Sequence, residues 1–200
     1  MLPITEINLP KLLQVSIIDN PFNDLYEFTN IMMKYCDTLQ TNSSFQIKIN
    51  DYEIMKINNQ IDPELLKIRN IASIYMKRAN IRIDESICTI IFNSYYINNN
   101  QIDNNLIDNK NIDDKLNNYC VETCVICINK DKTINGFNFI YWIDISCCLC
   151  STIQVDNILS IKQGEVLLFN GNLQKSYTKY IGYGNIKLIT IHFKSLERGK

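Results

Sequence analysis

From Ile87 to Lys194 the chain is a succession of short apolar, β-branched segments separated by turn-forming residues. This pattern limits the possible folds more than any other feature of the sequence. The segments are Ile87–Tyr96, Cys120–Asn129, Gly136–Ile143, Cys147–Val155, Glu165–Phe169, Lys175–Ile181 and Ile186–Lys194. Turns are expected at Asn129-Lys130-Asp131, Lys162-Gln163-Gly164 and Gly182-Tyr183-Gly184. Short strands at such spacing predict an antiparallel sandwich or jelly roll, because each strand must bury one face against a second sheet.

The N-terminal part carries a different period. Leu25, Phe28, Ile31, Met32 and Tyr35 fall at helical spacing within residues 22–36, after the start signals Asn20 and Pro21. A second helix is predicted from Asp62-Pro63-Glu64, with Asp62 as cap and Pro63 in the first turn. Leu66, Ile68, Ile71, Ala72, Tyr75 and Met76 form its buried face, down to about Arg78. Phe45–Ile57 alternates around Asn50-Asp51 and predicts a hairpin. Residues 98–118 contain nine Asn in 21 positions and predict a mobile surface loop inside one domain spanning 1–200. The fold class expected is α+β, with N-terminal helices packed on one sheet of a jelly roll.

Small counts exclude several chemistries. The chain has one histidine, His192, so no site needing two imidazoles can be built from it, which removes most hydrolytic zinc sites. Six glycines, none arranged as a phosphate-binding loop, argue against nucleotide chemistry. Twenty basic against 21 acidic residues give no overall field for nucleic acid or an anionic membrane. The basic cluster Lys67, Arg69, Lys77, Arg78 and Arg82 is either a surface for an acidic partner or the polar side of the second helix.

No apolar run approaches the roughly 18 residues a bilayer span requires. The start MLPITEINLPKLL has no basic region followed by an apolar stretch, so no signal peptide is expected, and the compartment expected is cytosol or nucleus. The eight cysteines are then expected as free thiols. Cys120, Cys124 and Cys127, followed by Cys147, Cys148 and Cys150, have a spacing that could chelate zinc. Their apolar, β-branched surroundings favour core thiols instead. His192 lies in a terminal strand, where a half-buried structural role is the expected one.

The C-terminal half resembles a known family. The run Cys120-Val121-Glu122-Thr123-Cys124-Val125-Ile126-Cys127-Ile128-Asn129-Lys130-Asp131 is similar to the strand that follows the iron ligands in prolyl-hydroxylase-type 2-oxoglutarate dioxygenases, especially the oxygen-sensing branch. Gly164–Phe169 resembles that family's G-x-LLLF strand. Leu188–Phe193 with Leu196-Glu197-Arg198 resembles its last strand and tail. The resemblance implies a double-stranded β-helix.

It also implies a His-x-Asp iron motif where this chain reads Asn111-Ile112-Asp113, so Asp113 is a vestigial ligand position with Asn111 in the place of the imidazole. A second histidine is implied within residues 174–178, where none occurs, and a basic residue for 2-oxoglutarate near Lys187. Neither catalytic, cofactor nor metal residues are therefore expected, and no cofactor: the implication is a pseudoenzyme.

Within the family, Leu12–Phe22 and Thr190–Phe193 resemble the N-terminal domain of poxvirus virulence proteins. The 62 Asn and Ile residues in 200 fit the AT-rich coding of such a genome. That likeness implies a host protein as partner, the Ku heterodimer or an oxygen-sensing prolyl hydroxylase, in the host cytoplasm or nucleus. It implies neither direct nucleic acid binding nor a membrane, and leaves a homodimer open. Two alternatives stand beside it: an atypical dioxygenase using Asp113, and a structural zinc protein.

Overall fold

Asp62 and Pro63 begin a helix for the reasons the sequence suggests. The structure is a computed structural model, and it describes residues 16–19, 22–36, 43–51, 60–97, 102–103, 121–144, 152–160, 162–169 and 176–196. In it, α1 spans Phe22–Cys36 and α2 spans Pro63–Arg78. The Glu64 N–H donates to Asp62 Oδ1 at 2.9 Å, satisfying one of the free donors of the first turn of α2. At the other end Asn80 takes φ 59°, its N–H donates to Lys77 O, and the Ile81 N–H reaches back to Met76 O at 2.9 Å. This is a Schellman stop, in which Asn stands where glycine is commoner.

Among the described residues ten strands obey a period of two: β1 (Ser16–Asp19), β2 (Ser43–Asn50), β3 (Ile83–Ile97), β4 (Ile102–Asp103), β5 (Val121–Lys130), β6 (Gly136–Asp144), β7 (Thr152–Ser160), β8 (Glu165–Phe169), β9 (Ser176–Ile181) and β10 (Gly184–Ser195). They form a six-stranded sheet in the order β1-β8-β5-β10-β3-β2 and a four-stranded sheet in the order β4-β9-β6-β7. Every described pairing is antiparallel. From β3 onward the chain passes repeatedly between the two sheets, which is the winding of a double-stranded β-helix.

Both helices cover one face of the larger sheet. Ile189, Ile191 and Phe193 of β10, Cys124 and Ile126 of β5, and Ile90 and Phe92 of β3 share a core with Phe28 and Met32 of α1 and Ile68 and Met76 of α2. The alternate residues of β10, Leu188, Thr190 and His192, are buried on the opposite face, toward the smaller sheet. The two helices are joined at their ends. Lys34 bridges Asp62 at 2.9 Å and Glu64 at 2.7 Å, and the Tyr35 hydroxyl donates to Asp62 while its ring stacks on Phe92. The Tyr35 hydroxyl, with Lys34 and the Glu64 N–H, holds the Asp62 carboxyl down to about 2. Tyr35→Phe keeps the stacking and removes the hydroxyl, so a loss of about 1 kcal/mol in denaturant unfolding is expected.

The β5–β6 and β9–β10 corners interlock. The Asp131 N–H donates to Asn185 O at 2.9 Å, and Asp131 Oδ2 accepts from the Asn185 N–H at 2.7 Å. Gly184 fits beside them at φ +121°, where an added Cβ would lie 2.6 Å from Asp131 Oδ2. Gly184→Ala combines that close contact with a left-handed backbone, and a loss of about 2 kcal/mol is expected from its melting curve.

Four expectations change. Of the hairpin expected over Phe45–Ile57, the first half is β2, which pairs with β3 with Asn50 opposite Ile87; Asp51 is helical, and residues 52–57 lie outside the described residues. The alternation of β2 was legible, but its partner lies far along the chain. The strand expected over Cys147–Val155 is described over Thr152–Ser160, because its register is set by β6, from Gly136↔Ser160 to Asp144↔Thr152. Residues 147–151 lie outside the described residues. β1 pairs with β8, a strand for which residues 16–19 carry no periodic signal. Within the expected 98–118 loop, Ile102–Asp103 form β4 on β9, and residues 98–101 and 104–118 lie outside the described residues.

Candidate functional site between the sheets

The face of β3, β10 and β5 that looks away from the helices carries a polar layer. His192 lies opposite Thr89 on β3 and Thr123 on β5, so the three form one row across the sheet. Thr123 Oγ1 and His192 Nδ1 are hydrogen-bonded at 3.0 Å, while His192 Nε2 and Thr89 Oγ1 have no hydrogen-bond partner. Burial holds the imidazole at about 4, well below its ordinary range, so the ring is neutral at pH 7. Further along the same face Asn93 Nδ2 donates to Thr190 Oγ1 at 3.2 Å, and the Tyr95 hydroxyl donates to Asn93 Oδ1 at 2.8 Å. Asn93, Thr190 and Tyr95 thus partner one another, whereas His192 Nε2 and Thr89 Oγ1 remain unpaired.

Lys187 stands elsewhere. The pairing of β10 with β3 is in continuous register from Gly184 to Phe193, so strict alternation holds along β10. Lys187 therefore shares a face with Ile189, Ile191 and Phe193, the helix side, while the positions turned toward the smaller sheet are Ile186 and Leu188. Its expected role in gripping 2-oxoglutarate is not supported by this placement. Asn111 and Asp113 lie outside the described residues, as do Gln174 and Lys175. Ser176, Tyr177 and Thr178 begin β9 and supply no imidazole.

Two of the six cysteines of the zinc alternative, Cys124 and Cys127, are described. Cys124 belongs to the helix-side core and Cys127, three residues on, faces away from it, so the two thiols cannot converge on one ion. Burial pushes both thiols up, Cys127 to about 12, away from the thiolate form that binds metal. Among the described residues no group of three metal-ligating side chains comes together. Cys120, Cys147, Cys148 and Cys150 lie outside them. Two of the five residues of the basic cluster are paired with acidic neighbours, Arg69 with Asp51 at 2.7 Å and Lys77 with Glu85.

Strand order, the two-sheet winding and the helices on the larger sheet define the class: this is the fold of prolyl-hydroxylase-like 2-oxoglutarate dioxygenases. The particular likenesses are to solved enzymes. A prolyl-4-hydroxylase from Pseudomonas putida superposes with a TM-score of 0.50 at 11% identity, covering 94% of each chain. IDO from Bacillus thuringiensis gives a TM-score of 0.51 at 15% identity over 92% of this chain and 90% of its own. At such identities the likeness is one of fold. No protein-family profile and no curated protein sequence matches the chain.

The iron of this class requires, as the sequence resemblance implies, two imidazoles and a carboxylate. Here the chain contributes a single imidazole, placed among threonines on β10 with one nitrogen engaged. Among the described residues, hydroxyls and one neutral imidazole are a poor donor set for Fe(II), so these residues do not fit that metal. Sequence reasoning missed Thr89, Asn93, Thr123 and Thr190. Only part of their signal was available: Thr190 and His192 alternate with Ile189, Ile191 and Phe193, whereas Ile91 separates Thr89 from Asn93 and Thr123 adjoins Glu122.

Proposed function

We propose that this chain is a catalytically inert prolyl-hydroxylase-like domain that acts by binding a host protein. The observation that carries the reading is the one imidazole of the chain, buried in β10 and bonded to Thr123. A two-histidine iron centre cannot be assembled around it. The Ku heterodimer is the first partner proposed and an oxygen-sensing prolyl hydroxylase the second, in the host cytoplasm or nucleus. What supports them is the resemblance of Leu12–Phe22 and Thr190–Phe193 to poxvirus virulence domains. Pairing of Arg69 and Lys77 with acidic neighbours favours a protein partner over nucleic acid.

The test is affinity capture with the full chain from host extract at mild salt, followed by mass spectrometry. Enrichment of both Ku subunits is expected, and their absence removes the Ku claim. In parallel, purified protein supplied with Fe(II), ascorbate and 2-oxoglutarate is expected to form no succinate above a protein-free control. Succinate formation would overturn inertness.

A further inference from the structure

The polar layer on the inner face of the larger sheet is closed as well as buried. His192 is 0% exposed, Thr89 and Thr190 1%, and Thr123 and Asn93 3%. A water-sized void beside any of these groups would leave part of it open to that void, and almost none of their surface is open. A pocket able to hold a small ligand occupies roughly 300 Å³ or more and would expose its lining. A dicarboxylate would in addition need a cation facing it, and Lys187 of β10 is on the other face.

His192 itself is not placed for hydrogen bonding alone. Its Nδ1 is bonded and its Nε2 has no partner. A ring held in a sheet interior at that cost is held for the volume it fills. We infer that the inner face of the larger sheet around Thr89, His192 and Thr123 is packed shut against a metal and its co-substrate, with the His192 imidazole as its plug, and that vacating position 192 opens a site for a small neutral heterocycle. The inference rests on the reading of an inert domain and adds its physical cause: the donors are gone and their space is filled.

The experiment uses the full chain as wild type, His192→Gly and His192→Gln, with thermal melting as readout. The probes are imidazole alone and 2-oxoglutarate with Mn(II). Wild-type melting is expected to be unmoved by either at millimolar concentration. His192→Gly leaves a ring-sized cavity and is expected to melt roughly 10 °C lower. Imidazole should then restore much of that shift with saturable dependence on concentration, because it binds only the folded state. His192→Gln keeps most of the volume and the bond to Thr123, so it should melt within a few degrees of wild type and ignore imidazole.

Three results would overturn the closure: wild-type stabilisation by 2-oxoglutarate with Mn(II), no imidazole response in a folded His192→Gly, or a His192→Gln variant that responds to imidazole. Should His192→Gly fail to fold, the wild-type and His192→Gln measurements still decide. Binding of 2-oxoglutarate without succinate removes closure and leaves inertness standing. Failure to capture a host protein removes the binding role and leaves closure standing.

Discussion

Lowering the pH from 7 to 4 is expected to remove about 3 kcal/mol of folding stability through one side chain, His192. The ring is wholly buried, and burial alone holds it at about 4 against an ordinary value of 6.5. In the unfolded chain it takes up a proton as the pH falls through 6.5, whereas the folded chain resists until about 4. Between those values the unfolded state binds more protons, so stability rises with pH. The contribution is fully present above 6.5 and lost as the pH falls through the folded value. Because the chain has no other histidine, the imidazole part of the slope between pH 6.5 and 5 belongs to one group. His192→Gln, unfolded by denaturant across that interval, should show a clearly shallower profile than wild type. An unchanged slope would show that the imidazole is solvated in the native state. Below pH 4 the Asp62 carboxyl, held down to about 2, adds a further loss of the same sign.

Phe92→Ala is expected to cost about 3–5 kcal/mol, the range for deleting a fully buried aromatic ring. Phe92 is 0% exposed and sits in the middle of β3, opposite Phe45 of β2 and Ile189 of β10. Its ring stacks on Tyr35 with centroids 5.2 Å apart and planes 17° from parallel. Removing it thus opens a cavity in the helix-facing core and takes away the surface on which the end of α1 rests. Neighbouring strands cannot collapse into the gap, because their hydrogen-bonded registers fix the sheet spacing. A parallel Tyr26→Ala, at a residue 71% exposed on α1, should change stability by no more than about 0.5 kcal/mol. A Phe92→Ala cost below about 2 kcal/mol would mean that the helices are only loosely seated on the sheet.

The local elements were legible because their causes are local. α1 matches its expected bounds of 22–36, and α2 starts where Asp62 and Pro63 place it. Glu165–Phe169 is a strand over the residues expected, and Ile186–Lys194 and Cys120–Asn129 are recovered within a few positions as β10 and β5. The partner of β2 was not legible, for a different reason. A period-two pattern states that one face is buried and does not name the neighbour, and the neighbour of β2 is β3, more than thirty residues on. β1 is too short to carry a pattern at all, and it exists because the edge of β8 accepts it.

The candidate site divides the same way. Composition alone decided that a centre with two imidazoles could not form, since a count of one needs no coordinates. The order of the strands along the chain, together with the C-terminal resemblance, was enough to name the fold. Only the tertiary structure put Lys187 on the helix side, separated Cys124 from Cys127, and set Thr89, His192 and Thr123 in one row. Those facts depend on register, and register is set by pairing between strands distant in sequence, each held by the burial of both its faces. The sequence by itself determines what residues are available to the chemistry; the folded sheet determines which of them meet.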